Sequence, residues 1–282
     1  MASNSQTMKP DFQGIEFPEA PSQAVDFAGS RNLLTALFAW FGEMGIFCWR
    51  LIRAMMAPPY EWGELIRQFD DVGAKSLPLV TLAGAATGVV MSLQARSGLI
   101  RFGGKSLIPL VLILSIIKES GPTITGLIVS GRVGAGIGAE LGSMRVTEQI
   151  DAMEASAVNP YKYLVATRVL ACTLMLPLLT LVADFAGILM GWIACTLAEP
   201  MTLRLFLDVG LKFVQLNDFL LPTFKTAVFG LIIGLVACFQ GMRTKGGTAG
   251  VGRAAMTSVF LSSLFVILAD VWLVRLIQMF GG

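Results

Sequence analysis

Apolar residues dominate five long stretches of the chain, and polar or glycine-rich segments separate them. Each stretch is long enough for a helix of about 20 residues, which is the length that crosses the hydrocarbon core of a bilayer. The pattern therefore predicts an all-α integral membrane protein with five transmembrane helices. The predicted spans are Leu77 to Ala95, Ser106 to Ser130, Val169 to Ala198, Phe219 to Phe239 and Ala254 to Ile277.

The N-terminal region differs from these stretches. Residues 1–30 are polar and rich in Pro, Ser and Gln, with neither a basic segment nor a following apolar core. They are predicted to be a disordered cytoplasmic tail and not a secretory signal. Residues 31–58 have apolar side chains at helical spacing, interrupted by Glu43, Arg50 and Arg53. An interfacial helix is predicted here, and a short additional span is the alternative.

Composition excludes several classes of function. Of the 282 residues, 55% are hydrophobic and 14% are charged, whereas a soluble domain has roughly a quarter charged residues. The net charge of +2 is too small for a surface that binds nucleic acid. The absence of histidine rules out Ser-His-Asp catalysis and histidine-liganded metal sites. No cofactor is therefore expected in this chain.

Two adjacent charges, Lys118 and Glu119, lie near the middle of the predicted second span. A charge at this depth costs at least about 2.5 to 3.5 kcal/mol, so it should face a partner or a wet cavity. One interpretation is a structural ion pair within the helix bundle. The other is a lining of the substrate route, with Gln94 on the neighbouring span as a weaker third candidate.

A glycine-dense segment, Gly131 to Gly142, follows this span. It contains the loosest form of a dinucleotide-binding motif, but helices of span length flank it where that motif needs strands. The glycines spaced by four are instead predicted to be helix-packing positions. The same prediction applies to Gly84 and Gly88 in the first span.

The segment Glu140 to Ala157 is short, amphipathic and polar enough for water. It is predicted to be one helix, with an apolar face of Leu141, Met144, Ile150 and Met153. It has one basic residue against four acidic ones, which favours a basic partner. A solvated helix without a partner is the alternative. The remaining face consists of Arg145, Glu148, Gln149, Asp151 and Glu154.

The distribution of basic residues predicts the orientation. Loops at 132–168 and 243–253 hold most of the loop arginines and lysines, which places them in the cytoplasm, although the basic loop at 96–105 opposes this assignment. With five spans, the N-terminus is then inside and the C-terminus outside.

Several ordered motifs resemble those of the MlaE/YrbE permeases, the membrane subunits of ABC transporters that work with MCE proteins to move lipids. The resemblance covers residues 31–282. One departure is KESGP, where the family usually has RELGP, so that Lys118 replaces an arginine and Ser120 a leucine. The motifs are KESGP (Lys118 to Pro122), SGRVGAGIGAELGSM (Ser130 to Met144), VTEQIDAM (Val146 to Met153), NPYKYL with Arg168 and Ala171, and CFQG and GVGRA towards the C-terminus.

The resemblance implies a homodimer in the bacterial inner membrane, with a lipid pocket between the subunits and a role in outer membrane lipid asymmetry. It implies three further partners: an ABC ATPase that binds ATP and Mg, a periplasmic MCE-domain protein and a STAS-domain accessory subunit. Residues 140–157 resemble the family's coupling helix, which docks on the ATPase. The residues assigned to that contact are Glu140, Arg145, Glu148, Gln149 and Asp151.

A second hypothesis is an ion- or proton-coupled secondary transporter that uses Lys118, Glu119, Asp184 and Asp270 as a relay. It predicts an inverted repeat, which the sequence does not show, and it gives the acidic segment no role. An intramembrane enzyme is poorly supported because the chain lacks histidine and a Gly-x-Ser-x-Gly motif.

Overall fold

The computed structural model describes residues 30–55, 62–101, 103–198, 200–212 and 214–280. Within these ranges the chain is helical with short connections and has no strand. Five helical segments are long and apolar enough to cross a membrane, which confirms the predicted architecture. We number them spans 1 to 5: Trp62–Arg101, Lys105–Val146, Tyr161–Leu197, Leu216–Met242 and Gly247–Met279.

By internal contacts the chain divides into two units, residues 1–45 and residues 46–282. The predicted tail falls on residues outside the described ranges, except for Ser30, and stays a prediction. Helix α1, Ser30–Met55, begins within the first unit and falls on the segment 31–58 that was predicted as an interfacial helix, and its position on the membrane stays a prediction. The helices are α1 Ser30–Met55, α2 Trp62–Phe69, α3 Leu77–Arg101, α4 Ile108–Ser115, α5 Gly121–Val129, α6 Ala135–Val146, α7 Gln149–Ala155, α8 Thr167–Ala198, α9 Leu203–Leu211, α10 Leu216–Met242 and α11 Gly247–Phe280.

In spans 1 to 3, π-helical turns join shorter helices into continuous rods, whereas spans 4 and 5 are the single helices α10 and α11. Two of these turns, Ile116–Ser120 and Ser130–Gly134, lie in span 2 on either side of α5. Pro122 stands in the first turn of α5, where its missing N–H breaks no bond of that helix. Single π turns inside helices occur often at functional sites, and the first of these turns contains Lys118 and Glu119.

Glycines allow spans 1 and 3 to pack backbone against backbone. A Cβ atom at Gly84 would meet the carbonyl of Ala183, and one at Gly88 would meet the carbonyl of Gly187. Small residues spaced by four permit this close approach in membrane helices. The predicted flat face of span 1 is therefore confirmed.

The glycine-dense segment packs in the same way against α11 and the loop before it. A Cβ at Gly134 would lie 3.3 Å from Oγ of Ser262, and one at Gly138 would overlap Ser258. A Cβ at Gly142 would lie 2.8 Å from Oγ1 of Thr244. These glycines are helix-packing positions, as predicted, and they hold the C-terminal part of span 2 against span 5.

Candidate functional site

A lysine that the sequence analysis did not assign lies at the centre of the buried charges. Lys225 of α10 has a side chain that is only 1% exposed. Its Nζ atom lies 2.7 Å from Oδ1 of Asp270 on α11 and 3.2 Å from Oε2 of Glu119 in the π turn of span 2. One ammonium therefore joins spans 2, 4 and 5. We call Lys225, Glu119 and Asp270 the charge cluster.

Polar groups around the charge cluster fix its geometry. Thr123 donates a hydrogen bond from Oγ1 to Oδ2 of Asp270 at 3.0 Å. The Lys225 ammonium also donates to the backbone carbonyl of Lys118 at 3.4 Å. The other carboxylate oxygen of Asp270 makes the ion pair with Lys225 without the geometry of a hydrogen bond. The π turn thus supplies both a carboxylate and a carbonyl to the same cation.

Lys118 and Glu119 do not pair with each other, although they are adjacent in the sequence. Nζ of Lys118 lies 2.8 Å from Oδ1 of Asp218, at the first turn of α10. The side chains of Lys118 and Glu119 are 48% and 51% exposed, whereas Lys225 and Asp270 are buried. Two half-exposed opposite charges, Lys118 and Glu119, therefore lie beside the buried ion pair of Lys225 and Asp270.

The remaining candidates for a substrate site or relay are more distant from one another. Gln94 lies on α3 with an exposed side chain, and no described hydrogen bond joins it to the charge cluster. Asp184 on α8 lies against Gly121, and its Oδ1 atom has no hydrogen-bond partner among the described residues. Of the four residues proposed as a relay, the structure joins only Glu119 and Asp270 through a common partner.

The acidic segment at 140–157 is two helices, not the single helix that the sequence predicted. Glu140 belongs to α6, which ends at Val146, and α7 begins at Gln149. Glu148 adopts a left-handed conformation with φ of 60°, which turns the chain between the two helices. The hydroxyl of Thr147 donates to the carbonyl of Ser143 at 2.9 Å and closes the end of α6.

The apolar face of this segment points inward. Leu141 and Ile150 are fully buried, and Met144 and Met153 are half-buried. Arg145 and Asp151 form an ion pair across the turn. The polar side chains of the turn and of α7 are exposed at four positions: Glu148, Gln149, Asp151 and Glu154. These form the surface that we call the acidic face.

Glu140 is bound within the chain by a residue whose role the sequence did not indicate. Nη2 of Arg168 lies 2.8 Å from Oε1 of Glu140, and Nη1 donates to the carbonyl of Leu164 at 2.9 Å. Arg168 is 1% exposed, while Glu140 is 47% exposed. This ion pair ties the C-terminal part of span 2 to the N-terminal part of span 3. The position of Arg168 at the edge of an apolar stretch was the sequence feature that could have indicated a buried ion pair.

Comparison with known proteins agrees with this architecture. Residues 65–276 match the family described as Permease MlaE. The chain is 34% identical over 247 residues to a probable ABC transporter permease protein of Rickettsia felis, covering 87% of this chain and 95% of the relative.

Two further relatives come from photosynthetic organisms. Identity is 36% over 208 residues to the probable ABC transporter permease protein slr1045 of Synechocystis sp., covering 74% and 79% of the two chains. It is 29% over 252 residues to the chloroplastic protein TRIGALACTOSYLDIACYLGLYCEROL 1 of Arabidopsis thaliana, covering 89% and 72%. The protein is thus a multi-pass membrane permease of the ABC transporter type, and it belongs to the MlaE permease family.

Proposed function

We propose that this chain moves phospholipid or a related lipid between the bacterial inner membrane and a periplasmic MCE protein. A separate ATPase, which binds ATP and Mg, would drive the movement, with a STAS-domain protein as an accessory subunit. The observation that carries the proposal is the pair of half-exposed charges, Lys118 and Glu119, inside a membrane span. The Arabidopsis relative has the name of a glycerolipid, which also supports a lipid as the cargo.

The accessible charges suit a lipid headgroup. An ammonium binds phosphate, and a carboxylate binds the amine that many phospholipid headgroups contain. In the hydrocarbon region a headgroup has no water to solvate it. Two half-exposed opposite charges, Lys118 paired with Asp218 and Glu119 paired with the buried Lys225, offer the solvation that it loses. Lys118 is the proposed phosphate ligand and Glu119 the proposed amine ligand. Gln94 is assigned a secondary role, on the neighbouring span.

Span 5 supports a homodimer. Only 17% of its most apolar window is buried within the chain, against 50% for spans 2 and 3. Large side chains such as Phe260 and Trp272 are exposed on it. Since Asp270 lies on this same helix, a second copy packed here would place the two charge clusters on either side of a shared lipid pocket.

The acidic face is the proposed contact with the ATPase. Glu148, Gln149 and Asp151 project from the turn and from a short helix whose apolar side is already buried. Glu140 and Arg145 lie at its base, where they hold ion pairs with Arg168 and Asp151. A basic groove on the ATPase would complete the interface, and its motion would pass into spans 2 and 3.

Charge reversal tests the ATPase contact. Glu148→Lys and Asp151→Lys are each expected to abolish co-purification of the ATPase, because each replaces attraction by repulsion. Asp208→Lys is the matched control, since Asp208 is an exposed acid on α9, at the other end of span 3. Unchanged ATPase recovery with both reversed variants would refute the assignment.

Separate neutral substitutions test the lipid site. Lys118→Met and Glu119→Gln are each expected to reduce the lipid that co-purifies with the complex and the rate of lipid transfer to the MCE protein. Normal lipid content and transfer in both variants would exclude these residues from the substrate site.

The charge cluster also supports a second candidate, the ion- or proton-coupled secondary transporter. Lys225 brings Glu119 and Asp270 together inside the bundle, which a relay requires, whereas Asp184 lies apart from them. The two candidates differ in their need for ATP. Transport by vesicles that lack every ATPase subunit would favour the secondary transporter, and its absence would favour the ABC permease.

A further inference from the structure

A cavity lies on the flank of the bundle, and its lining shares no residue with the charge cluster. It has a volume of about 430 Å³ and lies between the C-terminal end of α1, helix α2 and the start of span 3. We call it the lateral crevice. This volume is within the roughly 300 to 1,000 Å³ of typical ligand sites. Its lining includes Met55, Trp62, Leu65, Lys162, Leu170 and Leu174.

The walls of the lateral crevice are held in place by the protein itself. Phe47 of α1 packs against the rings of Tyr161 and Phe239, both at 5.5 Å between centroids. Leu51 and Ala54, one and two turns further along α1, are also buried. Because these contacts fix the end of α1 against span 3, the crevice is a preformed site and needs no ligand to shape it.

One end of the lateral crevice is basic. Lys162 lines it from the π turn that begins span 3, and its ammonium has no ion pair among the described residues. The neighbouring Tyr161 receives a hydrogen bond from Arg50 at 3.5 Å, and the guanidinium lies 6.0 Å from the ring centroid. Lys162 therefore places one cationic side chain in a mostly apolar lining, and Arg50 adds a second beside the neighbouring Tyr161.

The surroundings place this basic end at the boundary between water and membrane. Trp62, at the edge of the crevice, is 64% exposed, and tryptophan is enriched at the level of lipid headgroups. Lys162 lies a few residues after α7, on the side of the bundle where the chain leaves the apolar region. Basic pockets between transmembrane helices at this level bind the headgroups of anionic lipids.

We propose that the lateral crevice holds an anionic glycerophospholipid of the surrounding bilayer, with its phosphate on Lys162 and an acyl chain against Leu170 and Leu174. This lipid is a resident one that bridges α1, α2 and span 3. Its site shares no residue with the charge cluster, so the proposal is independent of the transported lipid. A ligand that binds only the folded protein stabilises it, which provides the assay.

The test uses the purified full-length protein in detergent, with phosphatidylglycerol as the probe. Phosphatidylcholine is the zwitterionic comparison, whose phosphate is neutralised by its own ammonium, and sodium phosphate is the anion without a tail. We expect phosphatidylglycerol to raise the midpoint of thermal unfolding more than either of the others. Lys162→Gln should weaken its binding about fivefold. Arg275→Gln, which removes an exposed cation elsewhere, should bind like the wild type.

A second variant keeps the proposal falsifiable if Lys162→Gln alters the fold. Leu174→Trp adds volume at the exposed side of the lateral crevice, where it avoids overpacking, and should reduce lipid binding while leaving the basic end intact. Equal stabilisation by phosphatidylglycerol and phosphatidylcholine would overturn the headgroup assignment. Equal stabilisation by sodium phosphate, or undiminished lipid binding in both variants, would overturn the site.

Discussion

Removing the Lys225 ammonium is the sharpest perturbation of the charge cluster. Lys225→Met keeps the length of the side chain and deletes its charge, so that the buried carboxylate of Asp270 loses its counter-ion at 2.7 Å. Glu119 also loses a partner, but its side chain is 51% exposed and can regain solvation. The cost therefore arises mainly at Asp270, which keeps the hydrogen bond from Thr123 but has lost its counter-ion.

Breaking a buried ion pair by removing one partner costs about 3 to 5 kcal/mol. Native proteins have free energies of unfolding of roughly 5 to 15 kcal/mol, so Lys225→Met should lose a large fraction of its stability. Asp270→Asn in the same chain removes the orphaned charge. The double variant should then be more stable than Lys225→Met alone by about 1 to 3 kcal/mol, although it carries two substitutions.

The assay is equilibrium unfolding of the purified full-length protein in mixed micelles, applied to both single variants and the double variant. Lys75→Met is the control, because its exposed ion pair with Asp71 should contribute less than about 1 kcal/mol. Strictly additive effects of Lys225→Met and Asp270→Asn would show that the two residues are not energetically coupled. That result would refute the assignment of Lys225 as the centre of the charge cluster.

Three further predictions follow from packing and burial, all measurable by thermal unfolding or hydrogen exchange. Gly88→Ala should destabilise the protein by about 1 to 3 kcal/mol, because the added methyl group would meet the backbone of span 3. Gly136→Ala is the control: the added methyl group meets open space, and the variant should be more stable by about 0.5 to 1 kcal/mol. Ile150→Ala should cost about 2 to 5 kcal/mol and release α7 to hydrogen exchange. Glu140→Ala should destabilise more than Arg168→Met, since only the former leaves a buried charge without its partner; the reverse order would contradict the ion pair.

The spans were predictable because each is a long apolar helix with small residues at helical spacing. The ends of the helices were not predictable, because the predicted spans stop at the first charged residues and the helices continue beyond them. Arg101, for example, lies in the last turn of α3, well beyond the predicted end of the first span. A helix continues past the hydrocarbon region whenever its backbone bonds are satisfied there, and charged side chains at its end do not stop it.

The partners of the buried charges could not be predicted in the same way. A lysine in an apolar stretch indicates that some carboxylate lies near it, but the sequence does not say which one. Lys118 pairs with Asp218 and not with the adjacent Glu119 because side chains at successive helix positions point in different directions. The left-handed turn at Glu148 could not be predicted from the sequence either, since a residue other than glycine seldom adopts that conformation.

Span 2 connects the two proposed sites, because it contains the accessible charges Lys118 and Glu119 and leads through α6 to the acidic face. Its inner part, α6, packs through glycines on α11, and α11 also holds Asp270. Under the proposed function, a force applied at α7 would shift α6 along α11 and alter the register between the π turn at Ile116–Ser120 and Asp270. Gly138 of α6 faces the short side chain of Ser258, so this contact presents little bulk to such a slide, and the two π turns let α5 adjust between them. The accessible charges would then move relative to Asp270, and the Glu140–Arg168 ion pair, which joins α6 to span 3, would have to adjust with them.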